Sequence, residues 1–175
     1  PGEEVLLTKA AGIEGTAILA TDFRADVEAS VSPDVIERGE ACYDDIGVVN
    51  DAATVSEYAS AMHDPTEGGL VNGLLELAVA SGVRLEIAPE AIPVRSETAT
   101  LCGAVGVDPL RIFGSGALLA TVPGDAVDRA TEALAANGIP YANIGTVREA
   151  SAPAVDLGSE RLTEPIRDEM YALWE

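Results

Sequence analysis

The sequence predicts a mixed α/β (α+β) fold, a mixed sheet layered with helices, and two features of its patterning carry that prediction. Short apolar or alternating runs of strand length recur along the chain, and stretches with helical spacing stand between them, several closed by glycine. No segment repeats at a fixed period, which argues against solenoids and propellers. With 175 residues and 47% hydrophobic content, the chain has the length and the material for one principal core.

Val5 to Thr8 opens the pattern as an apolar strand, and the turn-like Ala11-Gly12-Ile13-Glu14-Gly15 leads into a helix expected from Thr16 to about Ala29. Ser32 caps and Pro33 begins the next helical stretch, Val35 to Asp45. Breaks at Gly47 and Asn50-Asp51 precede a helix over Ala52 to Tyr58 and a strand over Ala59 to Met62. Leu70, Leu74, Leu77 and Ala78 mark an amphipathic helix that ends at Gly82, after which Val83 to Ile87 alternates as a half-buried strand. Ser96 to Gly106 reads as a helix and Ala117 to Val122 as a buried strand. Gly124-Asp125 opens a helix through Ala136, and Ala142 to Val147 reads as a strand. Residues 1–150 make the domain in this reading. In the remaining 151–175, a small-residue linker leads to a short helix with Ile166, Met170, Tyr171 and Trp174 on one stripe.

Thirty Asp and Glu stand against ten Lys and Arg, a net charge of -20 that argues against nucleic acid and anionic membrane surfaces as partners. Apolar stretches such as Gly116 to Pro123 are far shorter than the roughly 18 residues of a membrane helix, and the N-terminus has no basic-then-apolar leader. A soluble, cytoplasmic protein is expected. An acidic surface whose single lysine is Lys9 further suggests a salt-adapted organism. Cys42 and Cys102 lie outside any CxxC or Cys/His cluster, so the expectation is two buried free thiols and no metal site.

The segment Met62-His63-Asp64-Pro65-Thr66-Glu67-Gly68-Gly69-Leu70 is a polar loop that runs straight into a helix N-terminus. Free backbone N–H groups there suit a phosphate, glycine lets the main chain approach it, and Thr66 adds a hydroxyl. The same residues also suit an ordinary helix cap, with Asp64 or Thr66 capping. Lys9 is a second candidate phosphate contact or else a solvated strand-end charge. Gly114, Ser115 and Gly116 fit either a close approach of ligand or a tight turn into the strand at 117.

His63-Asp64-Pro65-Thr66-x-Gly68-Gly69-Leu70 resembles the signature of the C-terminal domain in hydrogenase-maturation relatives of aminoimidazole ribonucleotide (AIR) synthetase. Leu7 to Thr16 is similar to that family's opening strand and glycine turn, Ile46 to Val49 to its approach to the next helix, and Phe113 to Leu119 to a turn before a core strand. The resemblance covers residues 1–150, with the motifs in order. It implies the fold of the synthetase's C-terminal domain, and a cleft shared with an N-terminal nucleotide-binding domain that dimerises and holds ATP and magnesium. Thr66, Gly68 and Gly69 would then face the cleft as substrate or phosphate contacts. His63 and Asp64 would position the loop or touch substrate, and no catalytic residue is assigned. ATP and magnesium are expected only through that N-terminal domain, with a homodimer in the full-length form and no turnover by this chain alone.

In the hydrogenase-maturation branch, the resemblance implies dehydration of a carbamoylated C-terminal cysteine to give a cyanide ligand. This chain departs in two ways: no nucleotide domain is read before Pro1, and the ending Met-Tyr-Ala-Leu-Trp-Glu carries no cysteine. A non-catalytic binding or regulatory module that keeps the fold is therefore the rival expectation.

Overall fold

Alternating apolar side chains place the central strand between two layers in the computed structural model, which describes residues 1–175. On β1 (Glu4–Thr8), Val5 and Leu7 join one buried cluster and Leu6 joins another. The other strands are β2 (Ala61–His63), β3 (Arg84–Ile87), β4 (Leu119–Val122), β5 (Tyr141–Arg148), β6 (Ala154–Leu157) and β7 (Glu160–Leu162). They form one sheet in the order β2-β4-β1-β5-β3-β6-β7, antiparallel except where β3 pairs with β6. This is the mixed sheet with helices that the patterning predicts.

The helices are α1 (Ile13–Thr21), α2 (Arg24–Val27), α3 (Pro33–Glu40), α4 (Val49–Val55), α5 (Gly69–Ser81), α6 (Ser96–Val105) and α7 (Val127–Ala136). Leu70, Leu74 and Leu77 of α5 pack on the face that carries Val5, Leu85, Ile144 and Val155. Val55 of α4 and Ala130 and Leu134 of α7 cover Leu6, Ala120 and Val122 on the opposite face. That second face is only partly covered. Beyond β1 it presents polar side chains, where Arg84 pairs with Asp156 at 3.1 Å and Arg148 with Glu86 at 2.6 Å. A third cluster, built on Leu19, Phe23, Ile36, Leu101 and Ile112, joins α1, α2, α3 and α6.

Several boundaries differ from the expectation for physical reasons. α1 begins inside the glycine turn because Gly12 takes the left-handed conformation at its N-cap, and it stops at Thr21 before a separate short α2. α4 starts at Val49, so Asn50 and Asp51 lie within it, and Asp51 turns inward instead of breaking the chain. The largest difference lies at the C-terminus. Ala154, Val155 and Leu157, expected in a linker, are buried in β6 as sheet members. Beyond β7 the chain forms a 3₁₀ helix, Glu169–Leu173, in which Met170 is buried and Tyr171 half-buried. A linker reading rests on small residues, but β6 is recruited by a neighbour far away in sequence, the parallel edge of β3.

Val155→Ala tests whether residues 151–175 belong to the cooperative unit. It is expected to cost about 2 kcal/mol and to lower the single urea transition of the whole chain, whereas a separate appendage would leave that transition in place.

Candidate functional site

Three glycine segments far apart in sequence meet in space. The loop at 110–116 lies between the N-termini of α1 and α5, and both helices donate to it. Gly15 N–H reaches Phe113 O at 2.9 Å and Glu14 N–H reaches Ser115 O at 3.1 Å, while Val71 N–H of α5 reaches Leu110 O at 3.1 Å. These are first-turn donors that have no partner inside their own helices. Thr66 O completes the clasp by accepting from Gly69 N–H at 3.1 Å and from Gly114 N–H at 2.8 Å.

The glycines are required where the segments touch. Gly69 has φ 63°, and a Cβ there would stand 2.3 Å from Ile112 O. Gly68, at φ 75°, would place a Cβ 1.9 Å from the Asn72 amide nitrogen. Gly114 packs on Pro65 and Gly69, with a built Cβ 3.0 Å from Pro65 Cβ. Close approach of the backbone accounts for Gly69, backbone and the Pro65 ring for Gly114, and the Asn72 side chain for Gly68, before any ligand is considered.

The amide offered to an anion at the start of α5 already holds one. Gly68 N–H donates to Asp168 Oδ2 at 2.7 Å, and Asp168 Oδ1 accepts from Met170 N–H at 3.0 Å. Asp168 is 1% exposed. Burial pushes its carboxyl above the usual carboxylate range, the two amide hydrogen bonds pull against that rise, and Glu67 and Glu169 add to it. Asn72 on α5 clamps the same segment. It donates to Ile166 O and accepts from Ile166 N–H, both at 2.9 Å, and donates to Glu67 O at 3.2 Å. Glu169 accepts from Asp108 N–H at 2.7 Å and donates its own N–H to Arg111 O at 3.0 Å. Residues 163–175 therefore form a strap across the mouth of α5, and Phe113, Tyr171, Trp174 and Phe23 stack edge to face along its end.

The other predicted residues take different positions. Thr66 and Asp64 are exposed on the loop. His63 ends β2 and meets Glu76 of α5 at 2.6 Å. Ser115 is half-buried and contributes its carbonyl to α1. Lys9 is neither solvated nor free. Its ammonium donates to the carbonyls of Asp45, Gly47 and Gly116 at 3.1, 2.7 and 2.9 Å and lies 3.4 Å from the buried Asp51 carboxylate. It borders a cleft of about 960 Å³ whose ionisable lining also includes Asp44, Asp45, Asp51, Glu57 and Arg95.

Both cysteines are free and buried. Burial pushes the Cys102 thiol up to about 12 and raises Cys42 as well, where Arg95 pulls the other way, so neither is a thiolate near neutral pH. Sequence reasoning missed Asn72 and Asp168. An asparagine inside an apolar helix face was the available signal for the first.

The family model described as AIR synthase related protein, C-terminal domain, matches residues 1–158. The chain belongs to this family. Carbamoyl dehydratase HypE of Azotobacter vinelandii is 35% identical over 149 residues, which cover 84% of this chain and 42% of that protein. Escherichia coli HypE, a hydrogenase maturation protein, superposes with TM-score 0.69 at 26% identity, covering 95% of this chain and 50% of that one. A HypE solved in complex with ATP superposes with TM-score 0.67 at 22% identity, covering 95% of this chain and 51% of that one. The chain thus spans about half the length of the proteins it matches. In this AIR synthase-related domain, no helix is long and apolar enough to cross a membrane.

Two substitutions probe the site. Gly69→Ala forces a side chain into the left-handed region against Ile112 O and is expected to cost at least about 2 kcal/mol in chemical denaturation. Asp168→Asn should alter the pH dependence of stability. Because the folded carboxyl titrates higher than the unfolded one, its stabilising contribution is full below the unfolded value and is lost as pH rises through the folded value. The melting temperature of the variant relative to the parent should therefore increase as pH rises from 3 towards neutrality.

Proposed function

We propose that this chain is the substrate- and phosphate-side domain of an ATP-dependent AIR synthase-related protein of the hydrogenase-maturation type. It works in this reading with an N-terminal nucleotide-binding domain of the same protein, in a full-length homodimer. The observation that carries the proposal is the convergence of three glycine segments that resemble motifs of the family, which aims the first turns of α1 and α5 at one loop. The Gly68 amide and the exposed Thr66 hydroxyl would hold an anionic oxygen of the substrate, and preorganised donors of this kind stabilise developing negative charge without reorganising during reaction. His63, held by Glu76, fixes the strand end from which the loop departs.

ATP and magnesium belong to the N-terminal domain in this proposal. The chain brings no three Asp, Glu, His or Cys side chains together into a group that could hold a metal ion. A second reading, a binding or regulatory module without chemistry, is favoured by one observation: the Gly68 amide is satisfied by the chain's own Asp168.

Calorimetric titration of ATP with magnesium, in molar salt, into this chain and into the longest natural form of the protein separates these readings. Binding confined to the longer form and weakened by Thr66→Ala, by about tenfold for one lost charge-assisted hydrogen bond, is the expected result. Tight binding by this chain alone would contradict the shared cleft, and no binding by either form would favour the module.

A further inference from the structure

We infer that the cleft of about 960 Å³ between α4 and the C-terminal end of α7 is a binding site for an elongated organic cation of the linear polyamine class, with the Asp51 carboxylate as its inner acceptor and Glu57 and Asp44 as its outer ones. None of residues 63–69 lines this cleft, so the inference stands or falls apart from the proposed function.

Asp51 is the residue that points to a ligand. It lines the cleft at 2% exposure, its Oδ1 is buried without a hydrogen-bond partner, and its Oδ2 has only the Lys9 ammonium at 3.4 Å. That ammonium has three N–H donors, and the carbonyls of Asp45, Gly47 and Gly116 take all three at 3.1, 2.7 and 2.9 Å. Asp51 therefore has a neighbouring charge but no donor. A buried ion pair is favourable only when its remaining lone pairs find hydrogen bonds, and an unmet acceptor in a cleft wall is where a ligand's N–H supplies one.

The surroundings select a cation. Both cationic side chains of the wall are engaged, Lys9 as described and Arg95 with Asp45 at 2.8 Å, whereas the exposed carboxylates of Asp44 and Glu57 are in no ion pair. The last turn of α7 carries no basic residue, so its carbonyl end adds negative potential to the same cleft. A lining of one dominant sign concentrates ligands of the opposite sign. These acids are too dispersed for a compact ion, since no three of the chain's Asp, Glu, His or Cys side chains come together as a metal-holding group. Asp51 and Glu57 stand six residues apart along α4 and the turn that ends it, a rise of about 9 Å. Ammonium groups separated by methylene chains match that spacing, and the cleft volume suits a small molecule.

The test titrates spermidine into the 175-residue chain at fixed ionic strength, following heat of binding and the carbon-13 resonance of the Asp51 carboxyl. Glu57→Gln removes an outer acceptor at an exposed position, and Glu149→Gln removes an exposed acid beyond β5, outside the cleft. The expected result is saturable binding of one spermidine with a shift of the Asp51 resonance, weakened roughly threefold by Glu57→Gln and unchanged by Glu149→Gln. Asp51→Asn, checked for folding by its melting curve, is expected to weaken binding roughly tenfold or more. Equal loss with Glu57→Gln and Glu149→Gln, or binding that leaves the Asp51 resonance in place, would mean diffuse attraction to an acidic surface and would overturn the site. Absence of saturable binding would overturn it too, with solvent as the partner of Asp51. Should Asp51→Asn fail to fold, the Asp51 resonance and the two glutamine variants decide alone.

Discussion

The clasp around residues 110–116 is the constraint on which the rest of the structure depends. Two helices enter it with unpaired first-turn amides, and the loop's carbonyls are where those amides are satisfied. The arrangement leaves no room for side chains at the contacts, so glycine at 69 and 114 follows from the distance between backbones. The same loop reaches or leads into the three largest clusters of the core. Ile112 belongs to the helical cluster, Leu110 packs on the α5 cluster, and the chain continues through Gly116 into Leu118 of the cluster under α4 and α7. A change in this loop is therefore felt on both sides of the sheet.

The few cations of this very acidic chain are placed to do structural work. Lys9 ties the carbonyls of Asp45 and Gly47, and that of Gly116 from a distant segment, to Asp51 of α4, which holds the approach to that helix against Gly116. Arg95 bridges Asp45 and Cys42 beside the same cleft. The exposed pairs on the open part of the sheet, such as Arg148 with Glu86, lie in water and contribute little individually to stability. Surplus acids gather elsewhere, and the strap's Asp168 is the one that the fold buries without a counter-charge.

Much of the fold was legible because it is written in local patterns. The apolar run of Val5 to Leu7, the apolar stripe of α5 ended by left-handed Gly82, and the run at 117–122 each follow from period and turn chemistry. The loop at 63–69 was also legible as a unit, since a polar segment ending in two glycines before a helix is a strong local signal. The strand β6 was not, because Ala154 to Leu157 is a short small-residue segment that becomes a strand only beside β3. The enclosure of Lys9 was not legible for a related reason, as its three carbonyl partners lie 36 to 107 residues away.

By itself the sequence determined the mixed fold, the order of most elements, the acidic surface and the family motifs that set the candidate loop. These depend on neighbours within a few residues, where spacing and backbone preference are enough. Only the tertiary structure decided that Gly69 meets the backbone of the loop at 110–116, that Lys9 is enclosed, and that Asp168 occupies the amide read as free. Each of those is a pairing between distant segments of one chain, and a hydrogen-bond donor at a helix end carries no local mark of which acceptor, ligand or carboxylate the fold will bring to it.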